Sequence, residues 1–305
     1  MTDMAVEICG VRFKNPVIAA SGTFSFGREF ETLFDISLLG GICFKALTKE
    51  PRQGNPPPRV AETPCGMLNS VGLQNPGVRA FVRDILPRVK EYDTVKIANV
   101  AGACAQEYVD VIEALNETPL NMFELNISCP NVKKGGMQFG ADAASAREIT
   151  IMAKKAAKKP LIVKLSPNVA DIADIARAAQ EGGADAISLV NTVAGMAIDA
   201  RARRPVLGNV TGGLSGPAIK PLALRMVYEA SRAVSIPVIG MGGIMTGVDA
   251  AEFMIAGASA VMAGTAVVCD PFALPRIIGE LRAFAQEEGI KSIRELTGTL
   301  AIQGG

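Results

Sequence analysis

The sequence of 305 residues contains no histidine. Histidine is the usual proton carrier near neutral pH, so any proton transfer by this protein has to use cysteine, lysine, tyrosine, a carboxylate or water. The six cysteines include no C-x-x-C pair. In a chain of this length, without histidine or clustered thiols, we expect neither a disulfide framework nor a zinc or iron–sulfur site.

Excess charge and long apolar runs are also lacking. The 31 lysines and arginines nearly balance the 30 aspartates and glutamates, for a net charge of +1. This balance gives no reason to expect a nucleic acid or an anionic membrane as a partner. The N-terminus lacks the basic and then apolar segments of a signal peptide, and no run approaches the roughly 18 apolar residues of a membrane span. We therefore expect a soluble, cytoplasmic protein.

Short apolar runs alternate with helical patterns along almost the whole sequence. Eight of these runs are predicted to be buried strands, each followed by a helix or a long loop. This order is typical of an α/β fold in which parallel strands close into a (β/α)8 TIM barrel. No linker or low-complexity segment divides the chain, so we predict a single domain over residues 1–305. The predicted strands are residues 16–20, 41–45, 95–100, 122–127, 161–165, 186–190, 237–241 and 260–263, and the predicted helices are residues 77–90, 106–115, 143–157, 171–181, 218–233, 247–256 and 272–287.

Segments outside this pattern are predicted to cover the two ends of the barrel. A short N-terminal hairpin, residues 6–9 and 11–13, is expected to close the bottom. Two connections, residues 48–64 and 192–215, are too long for simple turns and follow strands, so we expect them at the C-terminal face, where barrel active sites lie. The second connection contains Arg201, Arg203 and Arg204, which form either a solvated loop or an anion site.

Polar residues at the predicted strand ends should converge on one mouth of the barrel. Lysine is costly to bury in a strand unless it is paired, so Lys45 and Lys164 suggest an anionic ligand. The alternative is that each lysine extends past the barrel wall into solvent. The other polar strand ends are Ser21, Asn99, Asn126, Asn191 and Thr192.

The last two predicted strands end in small residues. Gly242 and Gly243 end one strand, and Gly264 and Thr265 end the other. In a barrel, backbone N–H groups and a helix N-terminus at this place often bind a phosphate. No G-x-G-x-x-G motif opens a helix after a strand, so a dinucleotide site of the Rossmann type is not expected. A mononucleotide is the favoured phosphate ligand.

Cys129 is the strongest candidate for a catalytic residue. It lies in residues 123–131 (FELNISCPN), where an apolar strand ends in a polar cluster. The thiol, with a reference pKa of about 8.5, needs less tuning for proton transfer near neutral pH than the other available groups. Pro130 follows directly and favours extended geometry at Cys129.

Three segments of the sequence resemble one known family. Residues 69–75 (NSVGLQN), 126–131 (NISCPN) and 240–243 (GMGG) are similar to segments of the dihydroorotate dehydrogenases, which are FMN-containing barrel enzymes of pyrimidine biosynthesis. The resemblance extends from Asn15 to Thr265, which is nearly the whole chain. It implies oxidation of dihydroorotate to orotate.

The subclass is indicated by three further features. Cys129 stands where membrane-bound relatives carry serine, which indicates the soluble class 1. Residues 20–24 (ASGTF) and 54–59 (GNPPPR) resemble subclass 1B, whose catalytic subunit passes electrons to NAD through a second subunit. The resemblance therefore implies a partner that carries FAD and a [2Fe–2S] cluster, in a heterotetramer of two catalytic and two electron-transfer chains. A homodimer of catalytic chains is expected at its centre.

The resemblance also implies roles for individual residues. Cys129 would remove the proton from C5 of dihydroorotate while hydride leaves C6 for N5 of FMN. Residues 133–136 (KKGG) would form a lid whose lysines favour the thiolate, or else a solvated loop tip. Substrate contacts are implied for Lys45, Asn69, Val71, Gly72, Leu73, Asn126, Asn131, Asn191 and Thr192. Contacts with one FMN per chain are implied for Ser21, Lys45, Ala46, Asn99, Asn126, Lys164, Val190, Gly216, Gly242, Gly243, Gly264 and Thr265.

Other functions remain open at this point. A class 1A dihydroorotate dehydrogenase, which uses fumarate, is close in sequence to subclass 1B. Another flavin barrel, such as a dihydropyrimidine dehydrogenase, would share the phosphate glycines but differ around Asn69 and residues 126–131. A flavin-free isomerase or aldolase barrel would account only for Gly242, Gly243 and Lys164.

Overall fold

A closed barrel of eight parallel strands forms the centre of the computed structural model, which describes residues 2–127 and 139–302. Barrel strands that follow one another in the sequence are neighbours in space, and the last pairs with the first, Val261 opposite Val17. The predicted (β/α)8 TIM barrel is confirmed. The barrel strands are β3 (Val17–Ala19), β4 (Gly41–Cys43), β7 (Val95–Val100), β8 (Met122–Asn126), β9 (Leu161–Lys164), β10 (Ala186–Leu189), β15 (Val238–Met241) and β16 (Ala260–Ala263).

Helices surround the barrel and begin where the sequence provides caps. The Asp171 side chain accepts hydrogen bonds from the backbone of Ala173 and Asp174, and Thr246 forms a reciprocal capping box with Asp249. Apolar faces of these helices cover the outer side of the strands in one continuous core. The helices are α1 (Val78–Ala80), α2 (Leu86–Val89), α3 (Ala105–Leu115), α4 (Ala143–Ala156), α5 (Ile172–Glu181), α6 (Lys220–Ala233), α7 (Gly247–Ile255), α8 (Thr265–Cys269) and α9 (Ala273–Glu287), and the 3-10 turns are Ile36–Leu38, Pro217–Ile219 and Ile293–Leu296.

Two helical details differ from the sequence prediction. Residues 77–90 were predicted as one helix, but a π-helical turn, Phe81–Ile85, separates α1 from α2. Pro87 lies just after this turn, and proline lacks the N–H that would continue an α-helical ladder. The short helix α8 was not predicted, because five residues are too few to show a helical period.

The predicted N-terminal hairpin is present at the base of the barrel. Its strands, β1 (Val6–Ile8) and β2 (Val11–Phe13), are antiparallel. The side chains of Ile8 and Phe13 are completely buried. The thiol of Cys9 donates to the carbonyl of Asp185, 3.2 Å away, just before β10 begins. The hairpin therefore closes the end of the barrel at which the strands start.

The two long connections, and the residues just after the first of them, contain strands that the sequence analysis missed. They combine in a four-stranded antiparallel sheet, and a two-stranded hairpin extends from the second connection. One strand has the sequence TGGLS, in which paired glycines hide the strand signal, and its pairing with Asn69 joins residues far apart in the sequence. These strands are β5 (Val60–Thr63), β6 (Gly66–Asn69), β11 (Val193–Met196), β12 (Ile198–Asp199), β13 (Arg204–Pro205) and β14 (Thr211–Ser215).

The arginine cluster lies at the tip of this second connection. Arg201, Arg203 and Arg204 are all exposed, and Asp199 accepts backbone hydrogen bonds from Arg201 and Ala202. The arrangement is that of a solvated turn. Among the helices in the described ranges, none has both the length and the apolar character needed to cross a membrane.

Candidate active site

A cavity of about 550 Å³ opens at the C-terminal ends of the barrel strands, within the usual size range of ligand sites. Its walls come from the strand ends on one side and from the four-stranded sheet on the other, including Val60, Met67 and Thr211. Most of the predicted site residues line it: Ser21, Lys45, Ala46, Asn69, Val71, Gly72, Leu73, Asn126, Lys164, Val190, Asn191, Thr192, Gly216, Gly242, Gly243, Gly264 and Thr265.

Two predicted site residues, Cys129 and Asn131, lie outside the described residues, as do residues 133–136. Among the described site residues, Asn99 is not part of the cavity lining. Asn99 is completely buried, and its amide is used within the protein. Its Nδ2 donates to Glu124 Oε1 at 2.5 Å, and its Oδ1 accepts from Asn126 Nδ2 at 3.4 Å. Asn99 therefore supports the cavity residue Asn126 and does not itself face the cavity.

Glu124 is a buried carboxylate that the sequence analysis did not single out. It lies in β8 two residues before Asn126, and both therefore face the same side of the strand. Its side chain has no exposed surface, and Ser188 Oγ donates to it at 2.9 Å. A signal was present in the sequence, because a glutamate interrupts an otherwise apolar strand.

The two predicted lysines occupy different environments. Lys164 is 5% exposed, and its Nζ lies 3.6 Å from Glu124 Oε1 and 3.5 Å from Ser21 Oγ. Lys45 follows the end of β4 and is partly exposed, while its backbone N–H donates to the carbonyl of Ser25. The energetic cost of burying the Lys164 ammonium is thus partly offset by its ion pair with Glu124. The case for an anionic ligand at this site therefore needs the remaining cavity residues as well.

The two glycines that follow β15 are required by the backbone conformation and by packing. Gly242 and Gly243 have φ values of +126° and +81°, which disfavour any residue with a side chain. A Cβ atom on Gly242 would lie 2.7 Å from Ala223 Cβ, and one on Gly243 would lie 2.7 Å from Lys220 Cβ. Helix α6 therefore packs directly against this turn, which brings the main chain to the cavity wall.

Thr265, just after the last barrel strand, forms a hydrogen bond to the four-stranded sheet. Its Oγ1 donates to Ser215 Oγ at 2.9 Å, and both residues line the cavity. Ser215 belongs to β14 and was not predicted as a site residue, because its strand was not recognised. This hydrogen bond fixes the wall of the sheet relative to the barrel.

Two of the described cysteines, Cys43 in β4 and Cys9 at the base of the barrel, are unsuited to act as a general base. Burial, together with the Glu124 carboxylate, raises the pKa of the Cys43 thiol far above its usual range. Burial and Asp185 raise the pKa of Cys9 to about 11. Both thiols stay protonated at neutral pH, so neither competes with Cys129 as a candidate base.

Known proteins are similar to this sequence over nearly its whole length. A family model described as dihydroorotate dehydrogenase matches residues 3–284. The chain belongs to the dihydroorotate dehydrogenase family. The predicted resemblance is confirmed, and with it the prediction of an oxidoreductase, since the family consists of flavin-dependent enzymes that oxidise dihydroorotate in pyrimidine biosynthesis.

Individual dihydroorotate dehydrogenases differ in the electron acceptor that their names state. A protein of Solibacter usitatus, 58% identical over 97% of this chain and 98% of its own length, carries the provisional name dihydroorotate dehydrogenase A (fumarate). A protein of Geobacillus kaustophilus, 54% identical over 98% of this chain and 96% of its own length, is named dihydroorotate dehydrogenase B (NAD(+)), catalytic subunit. A protein of Bacteroides thetaiotaomicron with the same name is 53% identical over 99% of this chain and 100% of its own length.

A solved structure supports the fold assignment. The crystal structure of DHODH from Eimeria tenella, in complex with ferulenol, superimposes with a TM-score of 0.81. The match covers 97% of this chain and 88% of that one at 23% sequence identity. At this identity the comparison bears on the fold alone.

Proposed function

We propose that this protein is the catalytic subunit of a class 1B dihydroorotate dehydrogenase and oxidises dihydroorotate to orotate with one bound FMN. The observation that carries the proposal is the composition of the cavity. Asn69, Asn126, Asn191 and the two lysines Lys45 and Lys164 line one cavity of about 550 Å³. Amides both donate and accept hydrogen bonds, which suits a flat pyrimidine with alternating carbonyl and N–H groups.

The residues present fit FMN at the strand ends. Gly242, Gly243, Gly264 and Thr265 lie where barrel proteins often bind phosphate. Lys164 contributes a positive charge to the same cavity, which favours an anionic reduced flavin ring. When bound, FMN supplies the acceptor for the hydride that leaves C6 of the substrate. The remaining proposed FMN contacts are Ser21, Lys45, Ala46, Asn126, Val190 and Gly216. Asn99, predicted as a contact from the sequence, is proposed to act indirectly, by holding the Asn126 amide.

The chain's own residues bind the substrate and remove its proton. Cys129 is proposed to take the proton from C5, so that proton and hydride loss together convert dihydroorotate to orotate. Lys45 balances the substrate carboxylate. The proposed substrate contacts also include Asn69, Val71, Gly72, Leu73, Asn126, Asn131, Asn191 and Thr192.

Absorbance spectroscopy of the purified chain tests this function. We expect a yellow protein with about one FMN per chain that bleaches when dihydroorotate is added without oxygen. A protein that stays colourless after incubation with FMN would contradict the proposal and favour a flavin-free barrel. A yellow protein that is bleached by a dihydropyrimidine but not by dihydroorotate would indicate a different flavin barrel.

The electrons are proposed to leave through a partner subunit that carries FAD and a [2Fe–2S] cluster. No dinucleotide fingerprint or clustered cysteines occur in the sequence, so the chain needs a separate route to NAD. The connection of residues 192–215 is a candidate docking surface, because Met196, Ile198 and Val210 are 48%, 62% and 47% exposed. We further propose a heterotetramer built on a dimer of catalytic chains, and a cytoplasmic location.

Direct reduction of fumarate is the second candidate, favoured by the name of the Solibacter usitatus relative. Turnover of the isolated chain separates the two possibilities. We expect rapid dihydroorotate oxidation with an artificial dye but poor reduction of NAD. Efficient NAD reduction by the single chain would contradict the proposal of an electron-transfer subunit. Rapid turnover with fumarate would assign the protein to class 1A.

We also propose that residues 1–305 form one domain. The hydrophobic core supports this boundary, because one continuous cluster extends from Met4 to Leu296 and includes residues of the barrel and its helices.

A further inference from the structure

Glu124 is surrounded by hydrogen-bond donors. Oε1 accepts from Asn99 Nδ2 at 2.5 Å and from Cys43 Sγ at 3.2 Å, and Oε2 accepts from Ser188 Oγ at 2.9 Å. The Lys164 ammonium lies 3.6 Å from Oε1. Each of these groups can donate, and an ionised carboxylate can only accept. The environment is therefore suited to a negatively charged Glu124.

This acceptor determines how two amides are oriented. Because Glu124 only accepts, Asn99 has to present its nitrogen to it, which leaves the Asn99 oxygen facing Asn126. Asn126 then has to present its own nitrogen to Asn99, at 3.4 Å. The orientation of the amide that lines the cavity thus follows from the carboxylate two residues earlier.

The same carboxylate is paired with the buried lysine of the cavity. The side chains of Lys164 and Glu124 are 6% and 0% exposed. Lys164 lines the cavity, whereas Glu124 does not. Lys164 can therefore contact a ligand, while Glu124 lowers the net charge at the cavity wall from inside the barrel.

We propose that Glu124 is a positioning residue of this active site, which fixes the Asn126 amide and the Lys164 ammonium and offsets part of the positive charge that a bound flavin experiences. The proposal rests on the function proposed above. A buried ion pair is weak grounds for a purely stabilising role, since apolar residues of similar size often stabilise a core as well. A structural role alone does not explain why two charged residues are buried here. A role at the cavity that Lys164 lines does explain it.

The midpoint potential of bound FMN tests the electrostatic part. In Glu124→Gln, the positive charge of Lys164 is no longer offset, so the anionic reduced flavin is favoured and the potential rises. At a fixed applied potential, we expect the ratio of reduced to oxidised flavin to increase about tenfold. In Lys164→Met the potential falls, and in the double variant it lies between those of the two single variants.

Ser188→Ala is the matched control, because it removes one hydrogen bond from Glu124 without changing any charge. Its flavin potential is expected to match that of the unmodified protein. An unchanged or lowered potential in Glu124→Gln would overturn the proposed electrostatic role. A Ser188→Ala shift equal to that of Glu124→Gln would show that packing, and not charge, is responsible.

A second measurement does not depend on FMN. Urea unfolding of the apoprotein is compared for Glu124→Gln, Lys164→Met and the double variant. Each single variant leaves one buried partner unpaired, so the double variant should lose less stability than the sum of the two. Additive losses would refute the pairing. If the protein fails to bind FMN, the proposed function and the electrostatic role both fail, while the unfolding cycle still tests the pair.

Discussion

The two ends of the barrel both carry lysine–carboxylate pairs, but in opposite settings. At the base, Lys154 and Asp185 are 2.6 Å apart, with side chains 37% and 30% exposed, and Lys158 and Glu117 are 2.6 Å apart and 69% and 80% exposed. At the mouth, Lys164 and Glu124 are 3.6 Å apart and almost completely buried. The shorter distances occur where water screens the charges. Exposure, more than distance, therefore decides how strongly the charges of each pair are screened.

Cys9 and Cys129 can be compared in a similar way. Cys9 packs against the base, and burial and Asp185 raise its pKa to about 11. Cys129 follows the strand that ends at the cavity, in a polar segment of the sequence. A thiol at the base is thus kept inert by its surroundings. A thiol that serves as a general base requires the opposite, a pKa closer to neutral pH.

The largest effect is expected at Cys129. Cys129→Ser should keep its FMN but lose most of the general-base contribution, because a hydroxyl is a much weaker acid than a thiol. Anaerobic stopped-flow should show flavin reduction by dihydroorotate slowed by about 10²–10⁴-fold at neutral pH. A higher pH should recover part of the rate. Flavin reduction at the unmodified rate would exclude Cys129 as the base.

The next effect concerns the inert thiol at the base. With a pKa near 11 instead of 9.0, Cys9 carries about one hundredth of the usual thiolate fraction at neutral pH. Its alkylation by iodoacetamide, followed by peptide mapping, should be slower than that of the exposed Cys65 and Cys104 by about tenfold or more. The lower thiolate fraction is partly offset by the greater nucleophilicity of a more basic thiolate, while burial restricts access. Equal labelling of Cys9 and Cys65 would contradict the contrast between the two ends.

A smaller effect distinguishes the buried Lys164 at the mouth from the partly exposed Lys154 at the base. Lys164→Ala removes a cation from the cavity, so the midpoint potential of bound FMN should fall. The FMN content of the variant is measured beside that of the unmodified protein. Lys154→Ala is the matched change at the base. Its FMN potential should not move, since its partner Asp185 lies at the opposite end of the barrel. Spectroelectrochemistry with a reference dye measures both variants, and equal shifts would refute the comparison.

The barrel itself could be predicted from the sequence because its strands are continuous apolar runs. Residues 95–100 and 260–263 were predicted with the bounds observed for β7 and β16. The four-stranded sheet could not be predicted in the same way. Its strands join segments more than a hundred residues apart, such as Gly213 and Asn69, and no local period records that pairing.

Most residues that line the cavity could be predicted from the ends of the strands. The residues that hold them in place from inside the barrel could not. Lys164 and Asn126 end their strands and were predicted to face the mouth. Glu124 and Ser188 lie one step deeper, and only the closed barrel brings them together at 2.9 Å. Asn99 shows the same limit, because its position at a strand end did not reveal that Glu124 and Asn126 use its amide.

The smallest effect compares a partly buried carboxylate at the rim of the mouth with an exposed one at the base. Asp249 accepts hydrogen bonds from Lys220 and from the backbone N–H groups of Met245 and Thr246. Glu117 pairs only with exposed Lys158 among the described residues. We expect Asp249→Ala to lower the free energy of unfolding by about 1–2 kcal/mol at neutral pH, the usual effect of losing a helix cap. Glu117→Ala should produce no measurable change.

The pH dependence of this difference identifies its cause. Burial tends to raise the pKa of Asp249, but the hydrogen bonds from Lys220, Met245 and Thr246 outweigh it and hold the pKa below the ordinary value of 3.8. A carboxyl with a lowered folded-state pKa stabilises the protein above the unfolded value and loses that contribution as pH falls through the folded value. Urea unfolding at a series of pH values should therefore show the Asp249→Ala difference shrinking below pH 3.8. If the difference in unfolding free energy stays constant in acid, the stability lost in Asp249→Ala comes from packing and not from the carboxylate charge. The comparison of charges at the mouth and the base would then not hold for Asp249.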